Sequence, residues 1–322
     1  MNFSLTPARL LRGLAITAAA GVLALMAACG GGTQLEPFVP VRVLSFGDEW
    51  SVLVPPEGRK YGLNNLTTTG AIDCTTYPIW NQYLASNFGL PFDACKGTST
   101  SAPSRSLATV GAKAADVKTQ VDNFLAAGGA FSGKDLVTVL AGLNDVLELN
   151  AAVEAGSTNL STAIAAVKDR GAVLGNQVNR MATAGAKVVV LTLPDVSLTP
   201  FAQVSGAPSS RATVLSQLSS SFNSSLRQAL INDGHMIGLA FGDTEFLNMS
   251  RFPTSYSLTD VKTPLCKTSD TASLPNECTT DPAKTIATTP SAYLWAGLTA
   301  PGIMGHQRLG EIAVTRARNN PF

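Results

Sequence analysis

The chain has 322 residues, 45% of them hydrophobic and 14% charged, and its 23 basic and 22 acidic residues leave a formal net charge of +1. With no basic cluster there is no electrostatic footprint for nucleic acid, and that class of partner is not expected. The length suits one large α/β domain around a sizeable core better than two small ones.

Residues 1–28 carry Arg9 and Arg12, an apolar run from Gly13 to Met26, and Ala27-Ala28 ahead of Cys29, the three-part order of an export signal. The run is too short for a comfortable permanent membrane span. Leu25-Met26-Ala27-Ala28-Cys29, followed by Gly30-Gly31-Gly32, resembles a bacterial lipoprotein cleavage box. That resemblance implies diacylglycerol on Cys29, a flexible tether over residues 29–40, a mature domain over 41–322, and anchorage in the bacterial cell envelope. Gly30 after the cysteine matches an outer-membrane sorting pattern. Four cysteines remain, Cys74, Cys95, Cys266 and Cys278, an even set for an oxidising compartment. Three pairings are open; Cys74–Cys95 with Cys266–Cys278 is favoured because each closes a local loop. The competing metal site is disfavoured, since no short Cys-x-x-Cys spacing occurs and only His235 and His306 could add imidazole.

Four nearly continuous apolar runs, Val41–Phe46, Leu136–Leu140, Lys187–Leu193 and Met236–Phe241, read as strands covered on both faces. Helical patterns run over Ser161–Thr183 to the Gly185 breaker, over Ala212–Asn232 to Asp233-Gly234, and over Gly302–Arg318. The alternation predicts a three-layer α/β/α sandwich with a central parallel sheet, flavodoxin-like in its winding. Polar clusters follow each strand: Gly47-Asp48-Glu49, Gly142-Leu143-Asn144-Asp145, Pro194-Asp195 and Gly242-Asp243. Open parallel sheets bind ligands beyond the carboxyl ends of their strands, so these clusters predict a shared rim. Val54–Ser106 and Asn248–Ala292, rich in Thr, Ser, Pro and Gly, read as loops over or beside it.

Three blocks in order, Leu44-Ser45-Phe46-Gly47-Asp48-Glu49, Thr109-Val110-Gly111-Ala112 and Leu140-Ala141-Gly142-Leu143-Asn144-Asp145, resemble those of the GDSL, or SGNH, hydrolase family. Leu193-Pro194-Asp195-Val196, Phe222-Asn223 and Tyr293-Leu294-Trp295-Ala296 add secondary matches to its bacterial lipase, esterase and haemolysin-like branch. The resemblance implies an ester hydrolase with a serine on the first block and an Asp-x-x-His pair near the end, and with Gly111 and Asn144 as oxyanion-hole donors. At the serine position stands Glu49. Ungapped alignment puts Gly297 at the aspartate and Ala300 at the histidine; a shift of one nominates Ala296 and Thr299, which supply neither acid nor base.

No competent catalytic residue is therefore expected. Ser51 and the loop serines Ser99, Ser101, Ser104 and Ser106 are the substitutes an active hydrolase would have to use, the loop four being exposed by composition. His306 matches a second histidine of the family and reads as a packing or capping residue, and His235 as structural at the far end of the sheet. Asp48, Ser51, Asp145, Asp195 and His306 are the expected ligand rim. Glu49 is expected to accept a hydrogen bond from the Asn144 amide or from backbone amides at a helix start. A carboxylate mechanism of Glu49 with Asp48 and Asp145 is the remoter option. No phosphate loop, calcium loop or zinc motif occurs, so no cofactor or metal is expected. The resulting expectation is a lipid-anchored pseudoenzyme that binds a small ligand or an envelope protein; the alternative is an active envelope ester hydrolase with a relocated nucleophile.

Overall fold

The computed structural model describes residues 37–231, 234–267, 278–320 and 322. The expected signal segment, Cys29 and most of the tether lie outside the described residues. Strand β1 (Arg42–Gly47) places Val43, Leu44, Ser45 and Phe46 at no measurable exposure, which is why its sequence runs apolar without alternation. It pairs in parallel with β2 (Arg105–Ser106) on one side and β3 (Asp135–Leu140) on the other. Next come β4 (Lys187–Leu191) and β5 (Ile237–Ala240), giving the order β2-β1-β3-β4-β5 with every neighbour parallel.

Two groups of mutually packed helices sandwich this sheet. Helices α2 (Ala114–Ala126), α3 (Leu143–Glu154), α4 (Leu160–Thr183) and α5 (Arg211–Ala229) form one layer. Helix α1 (Trp80–Ser86), with α6 (Gly242–Arg251) and α7 (Ile303–Asn319), forms the other. The small residues of α4 make its packing possible: a Cβ added at Gly171 would lie 2.4 Å from the Phe222 carbonyl oxygen of α5. Residues Phe38–Phe322 make up one compact unit. Among the described residues no helix is long and apolar enough to cross a membrane.

The four apolar runs are strands β1, β3, β4 and β5, and the three helical patterns are α4, α5 and α7, with ends shifted by at most three residues. The fifth strand, β2, pairs through only Arg105 and Ser106, too short for any periodic signal. The two stretches expected as loops are more structured than their composition suggests. The first holds hairpins Leu53–Val54/Arg59–Lys60 and Asn65–Leu66/Ile72–Asp73 as well as α1; the second contributes β6 (Asp260–Pro264), which pairs with β7 (Tyr293–Trp295). Disulfides join Cys74 to Cys95 and Cys266 to Cys278, the favoured pairing.

Lys60 organises the first of these regions from inside. Its side chain is fully buried, and Nζ donates to the carbonyls of Cys74, Thr76 and Tyr77 at 3.2, 2.5 and 2.8 Å. Burial pulls its ammonium down to about 8, with Asp73 opposing. An ammonium removed from water is tolerated where backbone oxygens replace its hydration shell, and here they pin the loop that carries Tyr61.

Candidate functional site

The end of β1 is shaped by glycine. Gly47 has φ +133°, and a Cβ there would fall 1.8 Å from the Leu140 carbonyl oxygen, so no other residue lets β1 lie this close to β3. Gln120 of α2 brackets its backbone: Nε2 donates to the Gly47 carbonyl at 2.8 Å and Oε1 accepts from the Gly47 N–H at 2.9 Å. Beyond it, the Asp48 carboxyl accepts from the Trp50 N–H at 3.2 Å and starts a single turn, Glu49–Ser51.

That turn aims Glu49 at the next two blocks. Oε2 of Glu49 accepts from the Gly111 N–H at 3.1 Å and from the Asn144 Nδ2 amide at 2.7 Å, while Nδ2 also donates to the Ala112 carbonyl at 3.1 Å. Gly111 has φ +77° with open space where a Cβ would sit, so the left-handed turn, not crowding, calls for glycine there. Asn144 lies in the first turn of α3, which starts after Gly142 at φ +126°, against the Phe222 ring. Gly111 and Asn144 thus converge on one carboxylate oxygen, at the spacing that oxyanion-hole donors keep from a charged oxygen.

Glu49 is 5% exposed and Asp48 1%. Burial raises the Glu49 carboxyl, opposed by hydrogen bonds from its own amide, Asn144 and Gly111. Burial, then the Glu49 charge, raises Asp48 well above the usual carboxylate range; Asp48 Oδ2 has no hydrogen-bond partner among the described residues. Burial thus raises both carboxyls, Asp48 the further, with hydrogen-bond donors converging on Glu49 and none reaching Asp48 Oδ2 among the described residues.

Above Glu49 opens a cavity of about 400 Å³. Its polar lining is Glu49, Gly111, Asn144, Tyr61 and Thr299, and its apolar lining is Val110, Leu147 and Phe201. Thr299 sits on a tight turn in which Ala296 and Gly297 both donate their N–H to the Ala300 carbonyl, at 2.9 and 3.2 Å. Its hydroxyl is 3.3 Å from the Tyr61 hydroxyl. A Cβ on Gly297 would lie 3.4 Å from that of Ala300, so side chains at these two positions are neighbours, yet Ala300 does not line the cavity and Thr299 does.

The family model for GDSL-like Lipase/Acylhydrolase matches residues 57–287. The chain belongs to this family. The match takes in the Gly111 and Asn144 blocks and lies between Glu49 and the Ala296–Ala300 turn. Among solved structures, a member of the lipolytic protein G-D-S-L family from Veillonella parvula aligns at 10% identity and TM-score 0.45, covering 85% of this chain and 96% of that one. Axe2, an acetylxylan esterase from Geobacillus stearothermophilus, aligns at 11% and 0.45, covering 87% and 96%. An extracellular lipase from Streptomyces rimosus aligns at 15% and 0.43, covering 86% and 99%. No curated protein matches the chain in sequence.

In a GDSL hydrolase the acyl oxygen needs free donors, and a serine needs a base within hydrogen-bonding reach. Here the Gly111 and Asn144 donors are already engaged by Glu49. Ser51 does not reach the cavity: it is fully buried, and its hydroxyl accepts from the Trp80 indole N–H at 3.2 Å. Ser104, expected as exposed, is also buried, accepting from the Val43 N–H at 2.9 Å and donating to the Leu90 carbonyl at 3.0 Å. Ser106 donates to the Ser51 carbonyl at 2.7 Å.

The expected rim is corrected by the structure, because its acids turn inward to backbone and hydroxyl donors. Asp145 accepts from the Ala114 N–H at 2.8 Å at the start of α2 and lies 3.7 Å from Arg170; burial pushes it up to about 6. Asp195 accepts from the Ser197 N–H at 2.9 Å and the Ser216 hydroxyl at 2.7 Å. His306, in the first turn of α7, is 3% exposed, with Nε2 3.3 Å from the Tyr61 carbonyl and Nδ1 without a partner among the described residues. Burial pulls it down to about 3, so it is neutral and its Nε2–H donates. His235 is exposed ahead of β5, at the opposite end of the sheet from the cavity.

Tyr61, Leu147 and Phe201 line the cavity without having been singled out in the sequence, and Val110 appeared only as part of its block. Their spacing along the chain carries no signal, since three separate loops and a helix bring them together. Among the described residues no group of three or more His, Cys, Asp or Glu side chains could hold a metal ion.

Proposed function

We propose that this GDSL-family protein is a lipid-anchored envelope protein that binds a ligand or protein partner at the Glu49 cavity without hydrolysing esters. One observation carries the reading: the Glu49 carboxylate occupies the two donors, Gly111 N–H and Asn144 Nδ2, that an acyl oxyanion would need. A carboxylate at this place is a built-in counterpart of the charged intermediate, and it forms no stable acyl-enzyme. Among the described residues no imidazole lines the cavity to take a proton from an attacking hydroxyl; Thr299 lines it instead. Loss of triad members from serine hydrolases costs about 10^4 to 10^6 in turnover. Anchorage through Cys29 in the outer membrane rests on the Leu25–Cys29 box and Gly30.

Incubation with short- and long-chain p-nitrophenyl esters and with a fluorophosphonate probe tests this. The expected result is no turnover above background and no labelled serine. Stoichiometric labelling of any serine would restore the active-hydrolase alternative. Metabolic labelling with a palmitate analogue is expected to mark the chain, and Cys29→Ser to abolish the mark.

A further inference from the structure

Resting on the reading of this cavity as non-hydrolytic, we propose its ligand class: a small organic cation, a primary ammonium on a short apolar stem, with Glu49 as its counter-ion. A hydrolase of this family presents free N–H groups to a developing negative charge. Glu49 reverses that electrostatic sense. Both donors are engaged by Oε2, and among the described residues the ionisable groups lining the cavity are Glu49 and Tyr61, with no Lys, Arg or His. An anionic ligand would meet a buried carboxylate, and an ester carbonyl would find Gly111 and Asn144 taken.

The charge on Glu49 is unbalanced by protein cations. It forms no ion pair among the described residues. Cations on flanking elements are committed elsewhere: Lys113 and Arg170 both pair with Glu148, and Arg170 also reaches Asp145. Arg211 stacks on Phe201 at 4.6 Å, but its Nε and Nη2 donate to Glu154 at 2.6 and 2.8 Å. A buried carboxylate with hydrogen-bond donors but no counter-ion favours a ligand that supplies one.

The remaining lining matches the rest of such a ligand. Thr299 and Tyr61 offer hydroxyl oxygens to further ammonium N–H groups, and Tyr61 adds an aromatic ring to the lining, while the Phe201 ring already carries the Arg211 guanidinium. Val110, Leu147 and Phe201 supply apolar lining for methylene groups. At about 400 Å³ the cavity lies toward the small end of ligand sites.

Calorimetric titration of the full chain in detergent with n-butylammonium chloride tests the assignment, with n-butanol as the neutral counterpart of the same stem and sodium acetate as the anion. Butylammonium is expected to bind at least about tenfold more tightly than butanol, and acetate not at all. Glu49→Gln, which keeps size and an acceptor for Gly111, is expected to weaken butylammonium about tenfold without changing far-UV circular dichroism. Thr299→Val, which keeps the charge, should cost only about threefold. Equal affinity for butanol and butylammonium, or undiminished ammonium binding to folded Glu49→Gln, overturns the proposal. If Glu49→Gln fails to fold, the butanol comparison and Thr299→Val still decide. Ester turnover by the same preparation would overturn the parent reading; absence of both turnover and ammonium binding overturns only the ligand class.

Discussion

Two stretches of the rim meet the cavity in opposite ways. Around Glu49 a buried carboxylate engages the Gly111 N–H and the Asn144 amide. Around residues 296–300 small side chains stand where an acid and a base would be expected, and the backbone turn alone persists, held by the Ala300 carbonyl. In the first region the donors are taken by a carboxylate, and in the second a backbone turn with small side chains borders the cavity.

The largest expected effect tests the backbone half of that contrast. Gly47→Ala puts a methyl against the Leu140 carbonyl in a left-handed conformation and is expected to cost more than about 3 kcal/mol, read from the denaturant midpoint. A cost near zero would mean that β1 does not need its glycine. The next effect fills the second region. In a Glu49→Ser background, Ala296→Asp with Thr299→His is expected to raise p-nitrophenyl acetate turnover at least about a hundredfold over the single variant, because Thr299 and Glu49 line the same cavity. Gly297→Asp with Ala300→His, the ungapped alternative, should gain less, since Ala300 does not line the cavity. A reversed order would move the alignment back by one residue.

A smaller effect separates the buried groups flanking the two regions by the sign of their pH dependence. His306 titrates near 3 when folded and near 6.5 when unfolded, so its contribution is complete above about pH 6.5 and is lost as pH falls. Wild type is thus expected to gain roughly 2 kcal/mol over His306→Gln between about pH 4.5 and 6.5. Asp145 has the opposite sign: raised to about 6, it favours the fold below about pH 4 and loses that contribution as pH rises through 6. Relative to Asp145→Asn, wild type should weaken over the same window. Equal slopes in both comparisons would contradict the burial assigned to one of the two groups.

How much of this was legible in the sequence follows from the kind of signal each part leaves. Strands buried on both faces write continuous apolar runs, so β1, β3, β4 and β5 stood out, whereas β2 pairs through two residues and wrote nothing. The Gly111 and Asn144 blocks were legible because a left-handed turn and a loop-tying amide each demand one residue type; the Asn144 amide on Glu49 was among the expected options, and the Gly111 N–H on it was not. The rim was not legible. A polar residue after a strand can face a ligand or turn back to cap a helix, and Asp48, Asp145 and Asp195 all do the second. Gln120, which brackets Gly47, and Lys60, which ties the loop of Tyr61, act through backbone groups far away in sequence, beyond any local pattern.

Acetate stabilisation of a variant without the carboxylate puts the occupied oxyanion donors to the most direct test. Removing the Glu49 side chain as Glu49→Ala frees Gly111 N–H and Asn144 Nδ2, so an external carboxylate should take its place. Against equal sodium chloride, 100 mM acetate is expected to stabilise Glu49→Ala by about 1 kcal/mol in thermal or denaturant unfolding and to leave wild type unchanged. Identical responses from wild type and variant would mean that Glu49 does not hold those donors.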